Sequence, residues 1–152
     1  MDKFTLLFVD YSSVIPIVRF ALKDGKEIYA IIDSGSESTL VDKKFKKQYL
    51  GIIQSTNILG KMKAMGIGGE KEMVVMETIA RIPMKTDKGE DGAIEIKACV
   101  DNLSTLVDHM KRMHNIPWEF SLLIGGDTLR VLSSRIDYRK KTVTFFTKAR
   151  RK

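Results

Sequence analysis

The sequence predicts a mostly β fold in which two buried strands end in glycine-bearing turns and a glycine-tipped hairpin lies between them. The first strand is the apolar, β-branched run at 30–32, which stops at Asp33-Ser34-Gly35. The second is the run at 122–124, which stops at Gly125-Gly126. Between them, three glycines stand within the four positions 66–69, where the backbone is expected to bend tightly.

The turn at Asp33 has two interpretations. Asp, Ser and Gly are ordinary turn formers, so the segment can be a turn without chemistry. Alternatively, Asp33 is a carboxylate at the end of a buried strand, and burial of a carboxylate is costly unless it has partners. Ser34 can hydrogen-bond locally, and Gly35 allows backbone N–H groups to approach the carboxylate. The turn alone does not decide between the two.

The segments before the hairpin predict a β-hairpin followed by a short helix. Residues 14–22 form a strand candidate, and Asp24-Gly25 supplies the tight turn before the strand that delivers Asp33. Residues 39–50 predict a short amphipathic helix, because their apolar positions recur at helical spacing, namely Val41, Phe45 and Tyr49.

The glycine-rich stretch 66–69 predicts the tip of a hairpin with arms at 56–64 and from Lys71 onward. Its first glycines resemble a dinucleotide-binding fingerprint, but Lys71 occupies the place of the third glycine and a strand rather than a helix follows. The tip is therefore either a plain turn or a flap that closes over a ligand.

The C-terminal third predicts two helices and a final hairpin. Apolar residues at helical spacing place one helix at 103–113, ended by Pro117. His109 and His114 flank it without the spacing of a zinc helix, so both are interpreted as structural or surface residues. A short helix is expected from Asp127, followed by a hairpin that turns at 139–141.

Length and charge predict a single domain at 1–147 and a basic tail at 148–152. The tail carries four of the seven net positive charges and is interpreted as a solvated terminus. The alternative interpretation of the tail is contact with nucleic acid or an acidic partner, although no nucleic-acid recognition motif supports this.

The chain has no run long enough to span a membrane and no signal-peptide pattern. Its one cysteine, Cys99, is interpreted as a structural thiol in a reducing, cytoplasmic compartment.

Taken together, these parts resemble the retropepsin-like aspartic proteases from residue 15 to residue 146. The motifs occur in the family's order: a hairpin into Asp33-Ser34-Gly35, a flap at 66–69, the Ile124-Gly125 block, and then Ile136-Asp137-Tyr138. The resemblance implies an acid-protease half-barrel with a glycine-tipped flap and a short C-terminal helix. The helix at 103–113 looks like an insertion similar to that of bacterial members.

The resemblance implies an aspartic endopeptidase that needs no metal or organic cofactor and acts on a peptide or polyprotein. Carboxylate catalysis of this kind uses one group as base and one as acid. The chain carries one such aspartate and is too short for a two-lobed enzyme, so a homodimer is implied, with one Asp33 from each subunit. Two adjacent carboxylates share a proton and titrate as a unit.

Carried over by position, Asp33 is catalytic, Ser34 hydrogen-bonds across the dimer, and the Gly35 N–H reaches the carboxylates. Glu37 falls where the family often has an acidic residue that contacts the substrate backbone. Further substrate contacts are implied for the flap and the second strand-turn, at Gly66, Ile67, Gly68, Gly69 and Ile124.

The sequence departs from the family at Gly126, where viral members often carry an arginine that pairs with an acidic residue near the active site. That ion pair is therefore not expected here. Two other hypotheses stay open from the sequence: a catalytically silent dimer that binds peptides or acts as a scaffold on the same fold, and a nucleic-acid-binding protein that uses the tail and the lysines between Lys43 and Lys47.

Overall fold

The structure, a computed structural model, describes residues 1–9, 15–66 and 69–148. Its strands are β1 (Asp2–Leu7), β2 (Ile17–Ala21), β3 (Glu27–Ile32), β4 (Leu40–Asp42), β5 (Ile53–Gly66), β6 (Gly69–Lys85), β7 (Asp91–Asp101), β8 (Leu122–Ile124), β9 (Arg135–Asp137) and β10 (Thr142–Thr147). Its helices are α1 (Phe45–Gln48), α2 (Ser104–His114) and α3 (Gly126–Val131), with a 3₁₀ turn at Leu50–Ile52. The predicted mostly β class is confirmed.

The larger sheet brings the two predicted strand-turns together. Its seven strands lie in the order β2-β3-β8-β4-β7-β6-β5. Strand β8 lies between β3, to which it is parallel, and β4, to which it is antiparallel. The parallel register sets Ile32 opposite Ile124. Because parallel strands end at the same edge of a sheet, the turn at Asp33 and the turn at Gly125 are neighbours.

A three-stranded sheet in the order β1-β10-β9 encloses the core from the other side. Phe4 and Phe145 are Cα partners across β1 and β10, and neither side chain is exposed to solvent. The sequence by itself predicts no strand at residues 2–7. These residues become a strand because their partner is β10, at the opposite end of the chain, and pairing at that separation leaves no local pattern.

The outer edge of β1 is covered by the turn between β6 and β7. Asp87 donates its backbone N–H to the Lys3 carbonyl at 2.8 Å, and its Oδ1 accepts the Thr5 N–H at 2.8 Å. Its Oδ2 accepts the Thr5 hydroxyl at 2.5 Å. An exposed strand edge can pair with another chain, so this turn protects β1 from that pairing.

The helix predicted at 103–113 is confirmed as α2, one residue later at each end. It covers the outer face of the β2–β3 hairpin and forms a second apolar cluster there. The buried members of this cluster are Ile17, Ile31, Met110, Ile116 and Phe120. The helix therefore shields the outside of the hairpin that carries Asp33. The C-terminal helix and the final hairpin are confirmed as α3, β9 and β10.

The helix predicted over 39–50 is wrong for its first part. Leu40–Asp42 is strand β4, and only Phe45–Gln48 is helical. Leu40 and Val41 are held between β7 and β8, where they complete both ladders. Two sets of strand hydrogen bonds outweigh the weak helical preference of a short amphipathic segment.

The predicted flap hairpin is present as β5 and β6. The two strands pair as far as Gly66 opposite Gly69, and the Gly69 backbone has φ +102°, a conformation that favours glycine. Ile67 and Gly68, the two residues between them, lie outside the described residues. Beyond Lys148, the basic tail predicted at 148–152 also lies outside them.

Truncation of Phe4 tests whether β1 is part of the core. We expect Phe4→Ala to lower the free energy of unfolding by about 3–5 kcal/mol, because it leaves a cavity against Phe145. Leu7→Ala in the same strand is the control, since Leu7 is 63 % exposed and should cost under about 1 kcal/mol. Urea unfolding followed by fluorescence measures both. Equal losses in the two variants would contradict a buried role for Phe4.

Candidate active site

Asp33 follows directly on β3 and is fixed by its own turn. Its backbone N–H donates to the Ile124 carbonyl at 2.9 Å, which joins the end of β3 to the end of β8. Its carbonyl accepts the Ser36 N–H at 3.2 Å, which closes the turn. Its Oδ1 accepts the Gly35 N–H at 3.0 Å. The half-buried carboxylate is therefore oriented by a backbone donor two residues away.

The other described site residues lie in the Asp33 turn, at the end of β8 and at the tip of the hairpin of β5 and β6. Ser34 and Gly35 are exposed in the same turn, and Ile124 is fully buried at the end of β8. Glu37 has an exposed side chain, and its carbonyl accepts the Asp127 N–H at 3.2 Å. Gly66 and Gly69 stand at the tip of the hairpin of β5 and β6, and in the sheet order β4 and β7 lie between β6 and β8.

The second glycine turn is packed directly against the first. A Cβ atom at Gly125 would lie 2.3 Å from the Ser38 carbonyl oxygen and 2.9 Å from that of Ser36. The Gly126 N–H donates to the same Ser36 carbonyl at 2.6 Å. Only a residue without a side chain fits at position 125, so the paired glycines allow the two turns to interlock.

A buried polar network behind the turns was not predicted from the sequence. Thr39, only 1 % exposed, places its hydroxyl 2.6 Å from Asp127 Oδ1 and 2.5 Å from the Thr128 hydroxyl. The same hydroxyl accepts the Gly125 N–H at 3.1 Å. Asp127 also accepts the backbone N–H groups of Thr39 at 3.2 Å and of Thr128 at 2.7 Å.

The network keeps Asp127 in its charged form. Burial acts to raise the pKa of Asp127, but hydrogen bonds from Thr39 and Thr128 and the nearby charge of Arg130 outweigh it and lower the pKa below its ordinary value. In the sequence, Asp127 indicated only the start of a helix. The one available signal was an acidic residue directly after the paired glycines, and its partner Thr39 lies 88 residues away.

Other features of the described residues lie apart from Asp33. A surface groove of about 970 Å³ has a lining that includes Arg81, Pro83, Met84 and Phe146 but not Asp33. No set of three or more His, Cys, Asp or Glu side chains in the described ranges could hold a metal ion. None of the helices in these ranges is both long and apolar enough to cross a membrane. Asp33 thus presents its half-buried carboxylate at the point where the two turns pack against each other.

Two solved structures are similar to this chain. The retroviral protease-like domain of Ddi1 from Leishmania major is 16 % identical, with a TM-score of 0.41, over 92 % of this chain and 87 % of its own. A retropepsin-like aspartic protease from Rickettsia conorii is 13 % identical, with a TM-score of 0.42, over 94 % of this chain and 89 % of its own. The fold is similar to that of retropepsin-like aspartic proteases.

At this identity the similarity concerns the fold alone. No family model matches the chain, and no curated protein sequence matches it either. Both solved structures are described as retropepsin-like or retroviral protease-like, the family that the sequence resembles. The bacterial type of the domain stays a prediction.

Proposed function

We propose that the protein is a homodimeric aspartic endopeptidase in which Asp33 of each subunit activates a water molecule between them. The observation that carries the proposal is the placement of Asp33. It stands at the open end of β3, with Oδ1 held by the Gly35 N–H and the backbone tied to Ile124. A half-buried carboxylate that is fixed in direction is suited to acid–base chemistry.

The chemistry requires a second carboxylate, and a second copy of the chain supplies it. One Asp33, ionised, takes a proton from water as the oxygen attacks the peptide carbonyl carbon. The other Asp33, protonated, donates a hydrogen bond to the carbonyl oxygen, and the proton taken from water is then passed to the leaving nitrogen as the C–N bond breaks. Two facing carboxylates hold one proton between them because both cannot ionise easily.

The remaining predicted residues complete this proposal. The exposed Ser34 and Gly35 leave the turn accessible to the partner subunit, where Ser34 would hydrogen-bond across the dimer. Glu37 would contact the substrate backbone from the same turn. The flap at 66–69 would close over a peptide or polyprotein segment.

A cytoplasmic location stays a prediction from the single cysteine.

A digest of a diverse peptide mixture by the wild type and by Asp33→Asn, from pH 3 to pH 7, tests the function. Cleavage products identified by mass spectrometry in the wild-type digest and absent from the Asp33→Asn digest are the expected result. Sedimentation should show that both samples are dimers. A dimer that binds peptides without cutting them would instead favour the silent scaffold. Identical cleavage by both proteins would contradict the role of Asp33.

A further inference from the structure

Buried Thr39 and half-buried Asp127 form a hydrogen-bonded pair behind the two glycine turns, and we infer that this pair positions Asp33 for catalysis. The inference rests on the proposed function, since it assigns residues that prepare the same carboxylate. Neither residue would touch substrate. Both would act through the backbone of the turns, as positioning residues. The pair is defined by Thr39, Asp127 and the hydroxyl of Thr128, which bonds to Thr39.

With Asp127 in its charged form, the protons of this network can be arranged in only one way. The Asp127 carboxylate only accepts hydrogen bonds, so the Thr39 hydroxyl must donate its single proton to Asp127 Oδ1. The Thr128 hydroxyl must then donate to Thr39, whose lone pairs also accept the Gly125 N–H. The side-chain oxygens of Thr39 and Asp127 all take part in hydrogen bonds, and loss of the Thr39 hydroxyl would remove the acceptor of the Gly125 N–H and of the Thr128 hydroxyl.

The network reaches Asp33 through two short backbone connections. The Gly125 N–H donates to Thr39, and the preceding carbonyl, that of Ile124, accepts the Asp33 N–H at 2.9 Å. On the other side, Gly126 and Asp127 donate to the carbonyls of Ser36 and Glu37, at 2.6 Å and 3.2 Å. Thr39 and Asp127 thus fix the glycine turn, and the glycine turn holds both ends of the Asp33 turn. A displacement of about 1 Å of a catalytic group can lower a rate by about a hundredfold.

The test compares Thr39→Val, which keeps the side-chain shape and removes the hydroxyl, with Thr39→Ser, which restores the hydroxyl. We expect Thr39→Val to lower kcat about tenfold or more with KM within about threefold, and Thr39→Ser to recover most of kcat. Assays are run at a temperature at which circular dichroism shows every variant folded. A second readout is the NMR chemical shift of the Gly35 amide proton, which reports its bond to Asp33 Oδ1. It should move in Thr39→Val and stay near the wild-type value in Thr39→Ser.

The matched control is Thr86→Val, the same change at another buried threonine. Thr86 is 7 % exposed, and its hydroxyl accepts the Glu90 N–H at 3.2 Å in the turn between β6 and β7. This variant should lose stability while kcat and the Gly35 shift stay unchanged. Equal loss of kcat in the two Thr→Val variants would overturn the inference, as would a wild-type kcat and Gly35 shift in Thr39→Val.

The failure of this inference is distinguishable from failure of the proposed function. If the wild type cleaves no peptide, the proposed function fails, and the Gly35 amide shift still reports whether Thr39 positions the turn. If Thr39→Val does not fold, Asp127→Asn is measured instead, because the amide keeps one acceptor oxygen and the side-chain shape. A severalfold loss of kcat and a moved Gly35 shift would support the inference, and wild-type values of both would overturn it.

Discussion

An Asp33→Asn chain is expected to cleave no peptide by itself and to inactivate wild-type subunits when the two are mixed. The amide cannot take a proton from water, so a dimer with one or two such subunits lacks the acid–base pair. We expect a loss of at least about a thousandfold in kcat/KM, which corresponds to roughly 4 kcal/mol of transition-state stabilisation. The thermal midpoint should hardly change, because the amide oxygen can still accept the Gly35 N–H.

The mixing experiment measures whether both subunits contribute Asp33. With random pairing, a ninefold excess of the variant should lower the cleavage rate per wild-type chain by about tenfold. Asp24→Asn is the matched control, because it makes the same chemical change at an exposed aspartate in the turn between β2 and β3. It should keep wild-type activity and leave the mixture uninhibited. A rate per wild-type chain that does not depend on added Asp33→Asn, in samples shown to exchange subunits, would contradict the shared site.

The second large effect is expected at Gly125, where any side chain would collide with backbone. The Cβ of Gly125→Ala would lie 2.3 Å from the oxygen and 2.6 Å from the carbon of the Ser38 carbonyl. The Gly125 backbone, with φ −93° and ψ −178°, is in a region that alanine adopts without strain. The whole loss of stability expected in Gly125→Ala therefore comes from the steric clash of its Cβ with the Ser38 carbonyl. Relief of this clash would require the two turns to separate. That separation would break the hydrogen bonds from the Gly125 N–H to Thr39 and from the Gly126 N–H to Ser36.

We expect Gly125→Ala to lower the free energy of unfolding by about 3 kcal/mol or more and to remove peptide cleavage. Gly51→Ala is the control, because a Cβ there would meet nothing within 4 Å and the residue lies in the exposed 3₁₀ turn. Its effect should stay within about 0.5 kcal/mol. Urea unfolding measures both variants. A Gly125→Ala protein with wild-type stability and activity would contradict the interlocked turns.

Local signals in the sequence were sufficient for several elements of the site. The apolar run into Asp33, the paired glycines after Ile124 and the helical spacing at 103–113 each predict an element that the structure contains. These signals lie within a few residues of the feature they predict, because strand, turn and helix preferences are properties of short segments. The turn at Asp33 could therefore be identified before its surroundings were known.

The sequence by itself thus determined the candidate acid, the two turns and the arms of the flap. Tertiary structure alone decided that Leu40–Asp42 is a strand, that Asp2–Leu7 pairs with β10, and that Thr39 lies against Asp127. Each of these depends on partners at least 59 residues away in the chain. A residue's own neighbours do not specify such partners, since pairing across a sheet and bonding in a buried network are settled by which segments the fold brings together.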